Sequence, residues 1–149
     1  MNAVEHVTGD LFTYPGLDAI GHGVNCQGVM GAGIARAFRA LDENMYRQYR
    51  DLCSRSVLRV GDMHPWRLAD GRWVYNLASQ FRTGRDARLS AIETALDRAL
   101  EHATDHQLTS LGLPRIGCGI GGLTWAEVSA VIETVAARHP VRVVTVTPA

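Results

Sequence analysis

Two glycine clusters carry most of the chemistry that this sequence can support. The first runs Asn25-Cys26-Gln27-Gly28-Val29-Met30-Gly31-Ala32-Gly33-Ile34, the second Pro114-Arg115-Ile116-Gly117-Cys118-Gly119-Ile120-Gly121-Gly122-Leu123. Glycine lets the backbone take positive φ and come close to a ligand. Successive amides at a strand-to-helix junction can then form an anion nest. One such loop alone reads as a turn. Two on adjoining strand ends, both short of charged side chains, would enclose a diphosphate from both sides. Gly28-x-x-Gly31-x-Gly33 departs from the GxGxxG dinucleotide pattern, and no GxxxxGK followed by Ser or Thr occurs. With no P-loop lysine and no evident magnesium ligands, phosphoryl transfer from ATP is poorly supported.

Other residues could add chemistry to such a grip. The Asn25 amide can donate to and accept from hydroxyls, or it can brace the glycine loop, and the two roles are compatible. His22 precedes it on a candidate strand, where a lone histidine is more often packed than catalytic. Cys118 lies between two glycines at a helix entrance, where a thiolate could be stabilised. No histidine is fixed beside it by sequence, and it reads as a small residue in a tight loop. Asp10 follows the first candidate strand, a common place for a loop-capping aspartate. Asn76-Leu77-Ala78-Ser79-Gln80 leads into Phe81-Arg82-Thr83-Gly84-Arg85. Gln80 could position a water or a scissile bond, and Arg82 or Arg85 could neutralise developing charge. The same stretch could equally be a solvated loop without chemistry.

The elements that must position these residues alternate between short β-branched runs and longer amphipathic stretches, as in α/β domains. Strands are expected at 4–8, 18–24, 73–77, 110–113 and 141–146. A further extended piece at 62–67 contains Pro65 and belongs at an edge. Asp70-Gly71 joins it to the 73–77 strand as a tight turn, which predicts a hairpin. Four helices are expected. Ile34, Phe38 and Leu41 recur at helical spacing after the first glycine loop. Asp42 would cap a second helix carrying Met45 and Tyr49. A third, after Asp86, aligns Ile92, Leu96 and Leu100. The last opens on Thr124-Trp125-Ala126-Glu127, a capping box, and continues through Val128, Val131, Ile132 and Val135.

At 149 residues, 46% apolar and 20% charged, the chain fits one globular domain spanning 1–149. Fifteen basic residues balance fifteen acidic ones. A neutral chain lacks the electrostatic footprint of a general nucleic-acid binder, although a modified nucleotide remains open as substrate. No signal peptide or membrane-spanning run is visible. Cys26, Cys53 and Cys118 form neither a disulfide framework nor a CxxC metal pair. A cytoplasmic monomer without metal or cofactor is expected, with no membrane partner.

Across nearly its whole length the chain resembles a macrodomain. Val7-Thr8-Gly9-Asp10-Leu11 looks like the end of that family's first strand. The run from Val24 to Ala35 looks like its first phosphate loop, and the run from Pro114 to Trp125 like its second. The wording of both loops is nearest the branch holding terminal ADP-ribose protein glycohydrolase and the antitoxin macrodomains that remove ADP-ribose from DNA. The resemblance implies a three-layer α/β/α fold with a mixed central sheet, and ADP-ribose or an ADP-ribosylated protein as partner. It implies that Asp10 accepts from the adenine amino group and that Asn25 faces the distal ribose. The implied ligand-binding set is Asp10, Leu11, Asn25, Gly31, Ala32, Gly33 and Ile34 with Ile116, Gly117, Cys118, Gly119, Ile120, Gly121, Gly122 and Leu123.

The departures from that family bear on catalysis. Terminal ADP-ribose protein glycohydrolase uses a Lys shortly after the Tyr-x-Leu strand and an Asp inside the second loop. Those positions fall on or next to Gln80 and on Gly121 here, so that mechanism does not transfer. Gln80, Asn25 and, as a minor candidate, His22 are the remaining catalytic residues. The leading expectation is hydrolysis of the ester between ADP-ribose and an acidic side chain. The alternatives are a non-catalytic ADP-ribose reader, an ADP-ribose 1″-phosphate phosphatase, or a glycohydrolase acting on ADP-ribosylated nucleic acid.

Overall fold

In the computed structural model, which describes residues 4–149, ten elements follow one another. They are β1 (Glu5–Thr8), β2 (Ala19–Val24), α1 (Gly33–Leu41), α2 (Glu43–Ser54) and β3 (Met63–Arg67), then β4 (Trp73–Ala78), α3 (Leu89–Asp105), β5 (Ser110–Leu113), α4 (Trp125–Ala136) and β6 (Arg142–Thr147). Met1, Asn2 and Ala3, part of the N-terminal run read above for a signal peptide, lie outside the described residues. The strands form one mixed sheet in the order β1-β6-β5-β2-β4-β3. All neighbours are parallel except β3, which runs antiparallel to β4. Pro65 sits on that edge strand, where a missing amide costs no ladder bond. Gly71 closes the hairpin at φ +95°, and Asp70 accepts from the Arg72 amide.

Alternation along the strands divides the core into two faces. Ala19, Tyr75 and Val143 point toward α3 and α4, while Ile20, Val74 and Val144 point toward α1 and α2. Ile92, Leu96 and Leu100 of α3 interlock with Val128, Ile132 and Val135 of α4, all fully buried. Burying each such side chain contributes roughly 1.5–3 kcal/mol. Phe38 of α1 and Met45 of α2 fill the opposite face. Helices on both faces make three layers.

Helix ends follow the sequence. Asp42 accepts from the Met45 amide and from Trp66 Nε1, tying α2 to the edge strand. Thr124 and Glu127 form the expected capping box. The third helix begins after Asp86, at Leu89, with Arg88 at its N-cap and no side-chain cap. The Asp86 carboxylate is taken by the amides of Phe81 and Arg82 instead.

A polar seam crosses the sheet where β2, β4 and β3 align His22, Asn76 and His64. His22 Nε2 donates to Asn76 Oδ1 at 2.7 Å, the Asn76 amide donates to the His64 carbonyl at 3.1 Å, and His64 Nε2 donates to Gln48 Oε1 at 2.6 Å. Burial lowers both histidines to about 4, so the seam is neutral near pH 7.

Candidate functional site

The carboxyl ends of the adjacent parallel strands β5, β2 and β4 open into a cleft of about 480 Å³. Open α/β sheets bind ligands at this edge. Gly23 and Val24 end β2 at the cleft and Asn25 follows them, Ser79 and Gln80 follow β4, and residues 114–117 follow β5. Residues 31–35, at the start of α1, close one side, and Gly119, Ile120 and Gly121 close the other. Among the described residues of this lining, Arg115 is the one with a titratable side chain.

The first glycine loop is held from within and from below. Asn25 Oδ1 accepts from the amides of Gln27 and Val29 and lies 2.9 Å from the Tyr49 hydroxyl, while its Nδ2 donates to the Val29 carbonyl. The Asn25 oxygen is therefore saturated, and one N–H remains for a ligand. From α2, Tyr49 donates to the Asn25 carbonyl and Tyr46 to the Gly28 carbonyl. Gly28 holds φ +81°, and a Cβ there would meet Arg50 at 3.2 Å and Cys53 at 3.6 Å. Beyond the loop, α1 starts at an Ala32 N-cap with no side-chain cap and no acid in its first turn. Its first-turn amides are left free for an anion, and the helix dipole favours one there.

The second loop departs from the expectation of a matching helix terminus. The Thr124–Glu127 box already satisfies α4 and places a carboxylate at its first turn. This loop therefore meets the cleft with its own amides. Cys118 does not line the cleft; its thiol points to the Ile116 carbonyl at 3.5 Å, and burial raises its pKa. That environment keeps it protonated and unreactive.

A strap of residues 80–88, read above through Arg85 as either catalytic or solvated, joins the two loops. The Phe81 carbonyl accepts from the Cys26 amide, and the Thr83 amide donates to Gln27 Oε1. At the other end the Ala87 amide donates to the Gly121 carbonyl, and the Arg88 amide to Ser79. A side chain on Gly121 would place its Cβ 2.8 Å from both Ala87 Cβ and the Gly117 carbonyl. No carboxylate fits there without moving the strap. Arg85 lies across Gly122, and Arg82 faces Asp86 at 3.8 Å, so neither arginine lines the cleft.

Gln80 lines the cleft, and both hydrogens of its Nε2 are spent, on the carbonyls of Arg82 and Gly84. Its Oε1 is left as a pure acceptor. Of the other expected residues, Asn25, Gly31, Ala32, Gly33, Ile34, Ile116, Gly117, Gly119, Ile120 and Gly121 line the cleft, while Asp10, Leu11, His22, Gly122 and Leu123 do not. His22 is fully buried, stacked on Phe38 at 3.8 Å. Leu11 belongs to the core under α1 and α2, and Leu123 packs against the core under α3 and α4. Asp10 is exposed past β1, and its Oδ1 caps the Phe12 amide. Sequence reading assigned no site role to Ser79, Thr83 and Gly84, nor to Gly23, Val24, Val29, Ala35, Pro114 and Arg115, all of which line the cleft. For the strap the available signal was Asp86, an acid placed to gather the amides of its own turn.

Among known proteins, the family model described as Macro domain matches residues 22–132. The chain is 31% identical over 135 residues to the human ADP-ribose glycohydrolase OARD1, across 89% of this chain and 83% of that protein. It is 30% identical over 132 residues to the DNA ADP-ribosyl glycohydrolase of Thermus aquaticus, across 85% of this chain but only 36% of that longer protein. The fold matches the macrodomain of Thermus aquaticus DarG with a TM-score of 0.86 at 27% identity, over 99% of each chain.

Proposed function

The chain belongs to the macrodomain family, and from that premise we propose that it binds ADP-ribose in this cleft and hydrolyses the ester joining ADP-ribose to an acidic side chain. One observation carries the reading: an uncapped α1 N-terminus and a second glycine loop line the same cleft with backbone amides. The diphosphate lies between them. Asp10 has an oxygen beyond the one that caps Phe12, and it takes the adenine amino group.

The chemistry is limited by what the lining offers. Among the described residues no carboxylate, histidine or thiol lines the cleft, and the sequence contains no lysine, since all fifteen basic residues are arginine. A covalent lysyl route is closed. Water adds across the ester, releasing the free carboxylic acid and ADP-ribose. Gln80 Oε1 accepts from that water, and the spare N–H of Asn25 holds a hydroxyl of the distal ribose. Such esters are activated, so positioning can suffice where a strong base is absent. The ligand's own phosphate adds an acceptor for the water.

A second reading has its own observation. Phe81 is 49% exposed on the strap, next to Arg82. An aromatic beside a guanidinium suits a stacked base and its phosphate, which favours ADP-ribosylated nucleic acid as substrate. Parallel incubation with glutamate-linked, arginine-linked and thymidine-linked ADP-ribosyl substrates separates the possibilities. Release from the glutamate ester alone supports the ester reading, and release from thymidine alone supports the second. Binding of all three without release makes the protein a reader.

A further inference from the structure

We propose that Ser79 is a specificity residue of the cleft, its hydroxyl hydrogen-bonding a hydroxyl of the distal ribose and so separating ADP-ribose from ADP. The proposal rests on the ADP-ribose reading given above. Ser79 is the first residue past β4 and is only 1% exposed, yet it lines the cleft. Its amide donates to the carbonyls of Val24 and Leu77, which fixes the residue against the end of β2. Its hydroxyl bonds to no described residue. Among the described residues, His22 Nδ1 is the one sealed side-chain nitrogen or oxygen without a partner. The Ser79 oxygen is therefore not sealed, and the cleft is where it opens.

Room for this hydroxyl is built into the neighbouring strand. A Cβ on Gly23 would stand 2.6 Å from Ser79 Oγ and 2.9 Å from Ile116 Cγ2. Gly23 has no positive φ, so the space it leaves, rather than an unusual backbone, is what calls for glycine. Val24 and Ala78 are register partners in a parallel pair, which sets Asn25 and Ser79 opposite each other one residue further, at the cleft floor. The polar groups at this end then divide their roles. Gln80 has spent both amide hydrogens and can only accept. Asn25 has a saturated oxygen and can only donate. Ser79 alone of the three can do both, which matches a ribose hydroxyl, itself donor and acceptor.

Calorimetric titration of wild type and Ser79→Ala with ADP-ribose and with ADP tests this. The variant should bind ADP-ribose about 3- to 10-fold more weakly, the loss of one neutral hydrogen bond. Its ADP affinity and thermal midpoint should stay unchanged, because ADP has no distal ribose. Equal change toward both nucleotides, or no change toward either, would overturn the assignment. Failure of the wild type to bind ADP-ribose would instead remove the functional reading on which it rests.

Discussion

At the scale of single residues, the cleft is notable for the titratable groups it lacks. Among the described residues that line it there is no aspartate, glutamate, histidine, cysteine or tyrosine to serve as a general acid or base. The rate of ester release should therefore show no bell between about pH 5 and 9, only a rise where hydroxide itself attacks. A profile with both acid and alkaline limbs would show a general acid and base that the cleft does not contain. Borohydride added during turnover should trap no ADP-ribosyl adduct, since a lysine-free chain has no side-chain amine to form one. Gln80→Ala should slow hydrolysis yet leave a measurable residual rate, because the diphosphate grip survives it, whereas Asn25→Ala should slow hydrolysis and also weaken ADP-ribose binding, since Asn25 Oδ1 holds the first loop through the Gln27 and Val29 amides. Gly119 is the cleanest position for blocking the cleft. It lines the cleft, has no positive φ, and a Cβ there meets nothing within 4 Å. Gly119→Glu should keep its melting temperature and lose ADP-ribose binding, which calorimetry would read. Normal affinity in that folded variant would reduce the loops to turns.

At the scale of elements, the seam through β2, β4 and β3 sets the acid stability. His22 and His64 are lowered by burial to about 4, from an unfolded value of about 6.5. Between those values the unfolded chain binds more protons, so stability falls as pH drops through 6.5 toward 4 and is flat above. Each histidine contributes a slope of up to about 1.4 kcal/mol per pH unit. Urea unfolding at pH 7.5, 6.0 and 5.0 checks it; equal stability at all three would mean the seam is open to water. The strap makes a different prediction. Asp86→Ala frees the amides of Phe81 and Arg82, so hydrogen exchange should quicken at 81–84 and ADP-ribose affinity should weaken. Thr124→Ala should cost about 1 kcal/mol through the α4 cap. Elements with strong periodicity, such as the Ile92, Leu96 and Leu100 stripe, were legible in the sequence, as were the Asp42 cap and the hairpin at Asp70-Gly71. The strap was not. Its order comes from amides paired across distant loops, Cys26 with Phe81 and Ala87 with Gly121, and no local pattern records such pairs.

At the scale of the whole molecule, the alternation of elements made an α/β domain legible and the macrodomain resemblance implied its three layers and mixed sheet, while neither gave the order β1-β6-β5-β2-β4-β3. Strand order depends on which hydrophobic faces meet, and several orders would satisfy the same alternating pattern. The two glycine loops were legible as a pair because their composition is unusual. That they converge on one cleft depends on β2 and β5 lying side by side. The same convergence makes binding and stability a single observable. ADP-ribose at 100 times its dissociation constant should stabilise the fold by about 2.7 kcal/mol, visible as a raised melting temperature. The most direct measurement is a calorimetric titration of the intact protein with ADP-ribose and, in parallel, with AMP. One-site ADP-ribose binding is expected, with AMP much weaker because it lacks the second phosphate and the distal ribose. No heat at high micromolar ADP-ribose, or AMP binding as tightly as ADP-ribose, would contradict a cleft built to hold the diphosphate.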